Sequence, residues 1–299
     1  MTAHEHGILT RLDANDITKD FGNGRGIFDV NLTVHKGEIV GFVGPNGAGK
    51  STTINILTGF INPDRGHFAV LGEMADTGSI HHLMSRIGIL LSEPTIEPDL
   101  TAAQVFRRSQ ELLGLDCSQN WRRMSQELEL DVDKKVKKLS LGNKKKVGII
   151  NALMHEPDLL IMDEPTSGLD PLIRSRFMAM VKQMADNGGA VLLSSHDLGE
   201  VQAICDRIVM IKAGRVILSD TTDHILDKAE RAFRLLAPPK ELLAAIRKLK
   251  IRVTEEAGSE AVIHTAHYKE MIELLTRHKF YNFYIERPTL EETFKENYR

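Results

Sequence analysis

The sequence predicts an α/β fold, a largely parallel sheet wrapped by helices, with a smaller α+β unit after it. Three observations carry that prediction. Residues 38–43 (EIVGFV) and 159–162 (LLIM) are apolar or glycine apart from the opening Glu38, as strands buried on both faces are. Stretches with helical spacing alternate with such runs over residues 1–220. A glycine-rich segment, residues 44–50, stands between an apolar run and a helical one.

The elements follow in order. Residues 13–18 read as a strand before a turn built from Gly22, Asn23, Gly24 and Gly26. Phe28, Val30, Leu32 and Val34 alternate at period two, a half-buried strand. Lys36 and Gly37 turn the chain into 38–43, and residues 51–58 have helical spacing at Ile54, Leu57 and Thr58. Between 99 and 141, Val105, Leu112, Leu113 and Leu115, then Trp121, Met124, Leu128 and Leu130, recur at helical spacing, so a helical insertion is expected. A helix over 147–154 stops before Pro157, and 159–162 is a strand. A helix (173–184), a turn (Asn187, Gly188, Gly189), a strand (190–194) and a helix (198–204) follow. A hairpin at Ala213 and Gly214 joins 208–211 to 215–218.

The second unit is expected over 221–299. It reads as a helix (222–228), a strand (232–236), a Pro238–Pro239 break and a helix (241–248). Strands at 251–255 and 261–265 flank a turn at Gly258; a helix (268–278), a strand (280–286) and a helix opened by Pro288 complete it. The core order β-α-β-β-α-β resembles small ferredoxin-like folds.

Composition narrows the class. The 299 residues hold 38 Lys+Arg against 41 Asp+Glu, a formal charge of −3, which argues against a general nucleic-acid surface. Two cysteines, Cys117 and Cys205, point to a reducing compartment and leave little for a structural metal site. No apolar run approaches the roughly 20 residues of a membrane span. Residues 1–12 have neither a basic region nor an apolar signal core, so an intracellular protein is expected. Lys134, Lys135, Lys137 and Lys138, with Lys144, Lys145 and Lys146, form a basic cluster, read as solvated helix faces in preference to a seat for lipid headgroups or phosphates.

Two motifs carry chemistry. Gly44-Pro45-Asn46-Gly47-Ala48-Gly49-Lys50-Ser51 fits G-x-x-x-x-G-K-[ST], in which glycines let backbone N–H groups close around phosphate oxygens. Lys50 is expected on the β- and γ-phosphates, Ser51 on Mg²⁺, and Thr52 on the α-phosphate at the helix start. The second is the strand 159–162 ending in Asp163 and Glu164. Asp163 would orient Mg²⁺ through water, and Glu164 would act as general base on the attacking water. The pair is expected to emerge at the strand end, pointing to opposite faces.

Together, the phosphate loop, Leu139-Ser140-Leu141-Gly142-Asn143, Asp163-Glu164-Pro165-Thr166, Ser167-Gly168-Leu169-Asp170 and Ser194-Ser195-His196 resemble an ABC-type ATP-binding cassette in order and spacing. The resemblance covers residues 8–220. It implies a P-loop NTPase fold: a RecA-like core sheet, an antiparallel β subdomain and a helical subdomain at about 93–143. It implies ATP and Mg²⁺ as cofactors and ATP hydrolysis as the reaction. Phe21 takes the place of the aromatic that stacks on adenine. Ser140, Leu141, Gly142 and Asn143 take the place of the signature loop, which caps the ATP of the opposite subunit. Leu141 stands there for the usual first glycine, and Asn143 for the usual Gln. His196 matches the switch histidine at the γ-phosphate, and Asp170 the loop coupling the two sites.

The family's Gln, expected near Ser92 in the run 87–94, is missing. Ser92 aligns with it by spacing, and neighbouring Glu93 offers a longer polar side chain. Residues 285–294 resemble the ending of drug-, bacteriocin- and polysaccharide-exporter cassettes. The resemblance thus implies an exporter's ATPase subunit, cytoplasmic and peripheral on the inner face of the cell membrane. Its partners would be a separate transmembrane permease and a second ATP-binding subunit, in a homo- or heterodimer, with no nucleic acid. The C-terminal unit is expected to regulate or support the dimer. The competing reading is a soluble ABC-type ATPase acting on DNA or ribosomes, against which stands the single cassette.

Overall fold

The computed structural model describes residues 9–93, 95–249, 251, 253–257, 259–265 and 267–295. The chain divides into two compact units, one through Asp220 and one from Thr221.

The first unit is built on two sheets. Among the described residues one holds β3 (Ile39–Val43), β6 (Ile87–Leu90), β7 (Leu159–Asp163), β8 (Ala190–Ser195), β9 (Arg207–Lys212) and β10 (Arg215–Thr221), in the order β10-β9-β3-β8-β7-β6. From β9 to β6 the pairings are parallel. All residues of β3, β7 and β8 are buried, as helices on both faces of such strands require. Their register aligns the strand ends. Val43 pairs with Ser195 and Asp163 with Ser194, while Leu90 faces Met162. The loops after four neighbouring strands therefore leave one edge of the sheet at one level, where ligands of open α/β sheets bind.

The second sheet is antiparallel, β2-β1-β4-β5, from β1 (Thr10–Asp20), β2 (Gly26–His35), β4 (Arg65–Val70) and β5 (Glu73–Ala75). Its inner face shares one apolar core with the parallel sheet: Leu12, Ile17, Val30 and Phe68 belong to the same cluster as Val40, Phe42, Ile161 and Leu192. One expectation shifts phase here. Period two puts Phe28 on the buried face with Val30, but Ile27 is the buried residue and Phe28 is half-exposed. The cause is Asp29 at φ 53°, a bulge that moves the alternation by one residue. The Arg215 guanidinium then covers the Phe28 ring, 5.4 Å from its centroid.

Helices α1 (Lys50–Leu57), α4 (Leu141–Leu153), α5 (Pro171–Asp186) and α6 (Leu198–Ile204) flank the parallel sheet. The helical insertion is α2 (Ala102–Leu113) and α3 (Ser118–Glu127). Thr101 and Gln104 form a reciprocal capping box at the start of α2, and Gly114 closes it at φ 67°. Trp121 and Phe106 pack with ring centroids 5.5 Å apart, and Trp121, Met124, Leu128 and Leu130 are buried as their spacing predicted. The first half of that pattern fails at two of its four positions. Ala102, Ala103 and Phe106 face inward, whereas Leu112 is 80% exposed and Leu115 is exposed too. The helix turns Ala102, Ala103 and Phe106 to its neighbours, which leaves Val105 and Leu113 half-buried and Leu112 on the outer side. No helix among the described residues is long and apolar enough to cross a membrane.

The second unit runs α7 (Thr222–Lys228), β11 (Arg231–Leu236), α8 (Lys240–Lys248), β12 (Val253–Ala257), β13 (Glu260–Thr265), α9 (Tyr268–Arg277), β14 (Phe283–Glu286) and α10 (Leu290–Lys295). The sheet order β12-β13-β11-β14, antiparallel throughout, is that of a ferredoxin-like β-α-β-β-α-β chain. Phe233, Leu235, Leu242, Ile246, Ile263, Met271 and Leu275 form its own core. The turn expected at Gly258 lies outside the described residues. β14 begins at Phe283, three residues later than expected.

Candidate nucleotide site

The level strand ends open on a cleft of about 940 Å³, within the range of ligand sites. The loop between β3 and α1 forms its floor. Gly44 and Gly49 are there because a side chain does not fit: a Cβ at Gly44 would lie 2.4 Å from the Ile211 carbonyl oxygen, and one at Gly49 2.5 Å from Ile27 Cγ2. Gly49 also holds φ 113°, a backbone that side chains rarely allow. It begins α1 without a side-chain cap, so the first N–H groups of the helix are left to an anion.

Lys50 is almost buried and folds back over the loop, donating to the Gly44 carbonyl (2.7 Å) and the Pro45 carbonyl (3.4 Å). Its ammonium lies 3.5 Å from Glu164 Oε1. Ser51 Oγ donates to Asp163 Oδ2 at 2.8 Å, and Ser194 Oγ donates to Asp163 Oδ1. Asp163 is thus held on both oxygens.

Glu164 does not continue the strand. At φ 47° its backbone is left-handed, a conformation costing a non-glycine residue about 1 kcal/mol or more. The expected opposite-face geometry of a strand pair therefore does not describe Asp163 and Glu164, because the chain turns between them. Its N–H donates to the Ser194 carbonyl (3.2 Å) and Ser194 Oγ (3.1 Å). The carboxylate stands between Lys50 and His196, whose Nδ1–H donates to Oε2 at 2.6 Å. The His196 side chain is 63% exposed at the rim.

Of the residues expected at the site, Phe21, Pro45, Asn46, Gly47, Gly49, Lys50, Ser51, Thr52, Ser92, Glu93, Leu141, Asp163, Glu164 and His196 line this cleft. Phe21 is 50% exposed there, with no burial that would make it a core residue. Gly44 and Ala48 are not part of the lining. Ala48 is buried, its N–H bonded to the Pro45 carbonyl and its own carbonyl accepting from Gly214. Ser140, Gly142, Asn143 and Asp170 also lie off it. Ser140 Oγ caps α4 by accepting from the Asn143 N–H (3.3 Å), and Asp170 caps α5 through the Ile173 N–H (3.0 Å). A Cβ at Gly142 would come within 3.1 Å of the Gly168 carbonyl, so the two loops approach closely.

The structure adds residues that had no expected role. Arg25 and Gly214 line the cleft beside Phe21, and Ser194 supplies a hydroxyl that donates to the Asp163 carboxylate and accepts from the Glu164 backbone N–H. The lysine cluster divides. Lys134, Lys135, Lys137 and Lys138 are exposed as expected, but Lys145 and Lys146 are buried on α4, a correction to the solvated reading. Helical spacing signals it for Lys145, which shares a face with Ile149 and Ala152. Behind the cleft, Glu200 is buried and accepts from Thr166 Oγ1 (2.8 Å) and Ser195 Oγ (3.4 Å). Burial pushes its carboxyl above the usual range, opposed by the Thr166 hydrogen bond and by Arg174.

A phosphate loop after β3, a histidine after the adjacent β8 and two carboxylates at the end of the next strand, β7, define a P-loop nucleotide-hydrolysing cassette. The family model for the ABC transporter matches residues 27–167. The chain is 32% identical over 289 residues to the uncharacterized ABC transporter ATP-binding protein YcbN of Bacillus subtilis, covering 90% of this chain and 93% of that one. It is 31% identical to the linearmycin resistance ATP-binding protein LnrL of the same organism, with 95% and 96% covered. The bacitracin transport ATP-binding protein BcrA of Bacillus licheniformis shares 32% over 73% of this chain and 72% of its own. A solved ATP-binding subunit of an ABC transporter superposes with TM-score 0.68 at 30% identity, over 72% of this chain and 92% of that one. The chain belongs to the ATP-binding proteins of ABC transporters and is an ATPase of that class.

Proposed function

We propose that the chain binds MgATP in the cleft and hydrolyses it with Glu164 as general base. The observation that carries this reading is the left-handed turn that sets the Glu164 carboxylate between Lys50 and His196. The triphosphate lies along the uncapped start of α1, on the backbone of Pro45, Asn46, Gly47, Ala48 and Gly49, with Lys50 at the β- and γ-phosphates and Thr52 at the α-phosphate. Adenine stacks on Phe21. Ser51 and Asp163 are hard oxygen donors at one point of the cleft, a set that suits Mg²⁺. Both Asp163 oxygens already accept hydroxyl donors, which favours its contact through water. Mg²⁺ supplies charge neutralisation at the phosphates. Glu164 takes the proton of the attacking water, and His196 orients that carboxylate through Nδ1–H.

The family's ATP-binding subunits dimerise and serve transmembrane permeases. We assign to the second subunit, identical or not, the Ser140-Leu141-Gly142-Asn143 loop that completes each site, with Asp170 linking the two sites. Ser92 and Glu93 form the loop through which the permease is sensed. The names of the relatives concern resistance to linearmycin and transport of bacitracin, which supports an exporter with a separate permease, and a place on the inner face of the membrane. The C-terminal unit serves regulation or support of the dimer. Nothing favours action on DNA or ribosomes.

Glu164→Gln tests this reading. ATP affinity should stay within about threefold while turnover falls about 10²- to 10⁴-fold, and ATP should trap a dimer seen by size-exclusion chromatography. Turnover at the wild-type rate removes Glu164 as the base.

A further inference from the structure

Lys145 lies on α4 four residues after Leu141, and it is 3% exposed. Its ammonium reaches three backbone carbonyls from two strand ends. Those of Leu91 (3.4 Å) and Ser92 (2.9 Å) follow β6, and that of Glu164 (3.1 Å) follows β7. Three donors meet three acceptors, so the cation is satisfied without a direct carboxylate partner. Burial pushes its pKa down, while the nearby Asp163, Glu164 and Glu93 pull it up.

The Glu164 carbonyl is the informative acceptor. The N–H of Glu164 is fixed by Ser194, and its C=O accepts from the Lys145 ammonium at 3.1 Å and, at 3.4 Å, from the Ser167 N–H. Both backbone groups of a left-handed residue are thus held, with Lys145 the only one of these partners that also ties the turn to the β6 segment. Fixing that turn fixes the direction of the side chain that meets Lys50 and His196. The other two carbonyls belong to the segment that carries Ser92 and Glu93 into the cleft. One ammonium therefore makes the aim of the carboxylate depend on where that segment sits.

We propose that Lys145 is a positioning residue for hydrolysis, a clasp whose ammonium holds the Glu164 backbone in its left-handed turn and ties it to the segment of Leu91 and Ser92. The inference rests on the reading of Glu164 as the general base. Lys145 also borders the cleft, but nucleotide affinity is assigned to the loop before α1 on another strand end and should not depend on the clasp.

The test uses the full chain with Lys145→Met, Lys145→Gln and, as control, Glu164→Gln. Turnover, melting temperature and the Kd of a non-hydrolysable ATP analogue are measured for each. Lys145→Met removes all donors and should lower kcat about tenfold or more with Kd within about threefold. Lys145→Gln keeps two amide donors and should recover part of that loss. Wild-type kcat in a folded Lys145→Met overturns the proposal. So does a parallel loss of kcat, affinity and melting temperature with Gln no better than Met, since that marks a packing role. Wild-type kcat in Glu164→Gln removes the base and the clasp together, whereas an inactive Glu164→Gln beside an active Lys145→Met removes the clasp alone. Acetic anhydride labelling of the wild type needs no variant. Lys145 should react about tenfold more slowly than exposed Lys138, and equal rates overturn the clasp even if the variants do not fold.

Discussion

Helices α1 and α4 both begin at the cleft, yet their first turns are satisfied in opposite ways. At α4, Ser140 gives its hydroxyl oxygen to the Asn143 N–H, and the helix end is closed by its own chain. At α1, a left-handed Gly49 offers no side chain, and the N–H groups stay open toward the cleft. Helices α5 and α6, starting at the same edge, are capped by Asp170 and Asp197. The difference teaches where phosphate goes. Charged phosphate is expected at the helix start that its own sequence declines to cap, and the capped starts are free to act as rigid struts.

The largest effect is expected where the open end is spoiled. In Gly49→Ala the new Cβ meets Ile27 Cγ2 at 2.5 Å and the φ of 113° becomes strained. A strain of about 1–3 kcal/mol moves the loop, and ATP affinity should fall about ten- to hundredfold by calorimetry. Wild-type affinity in this variant breaks the comparison, because the uncapped end is then not the phosphate seat.

A smaller effect at the capped end sharpens it. Ser140→Ala should cost about 1 kcal/mol of stability in denaturant unfolding, and Ser140→Gly only a few tenths. Intrinsic ATP affinity should not move in either. A hydroxyl that serves only as a cap leaves turnover alone once glycine restores the helix start. A hydroxyl that also meets the ATP of a second cassette loses turnover equally in Ala and Gly. Equal stability losses in the two variants contradict the capping role.

The contrast also explains what could be read in advance. Residues 44–51 and Asp163 were legible because glycines, a lysine and a carboxylate on buried strand ends leave few alternatives. Ser140 and Asp170 were legible as motif members, but their local work as caps was not, since spacing does not say which helix turn they close. Lys145 was hidden inside three consecutive lysines, and only its phase on α4 tells it from Lys144. β4 and β5 were missed, because Arg65–Val70 carries little more than Phe68 and Val70 as apolar signal. The core phase of β2 was lost at Asp29, where a positive φ overrides the alternation that period-two reading assumes. Glu164 was singled out by its residue type and place, but its aim depends on a turn that the residue type disfavours.

The smallest effect concerns the support behind the cleft, where Glu200 joins Thr166 after β7 to Ser195 on β8. Its folded carboxyl is raised above the ordinary 4.5 by burial. Between 4.5 and the raised value, the native protein keeps a proton that the unfolded chain has lost. Stability tied to this group is therefore full below 4.5 and is lost as pH rises through that window. Glu200→Gln keeps an oxygen to accept from Thr166 and cannot ionise. The melting temperature at neutral pH relative to that below pH 4.5 should be higher in the variant than in wild type, by on the order of a few degrees. The same pH dependence in both proteins, followed by calorimetry, means that Glu200 is not held protonated by burial. A relative loss at neutral pH in the variant means that the ionised carboxylate, through Arg174, stabilises the fold, and the support between the two strand ends is then ionic.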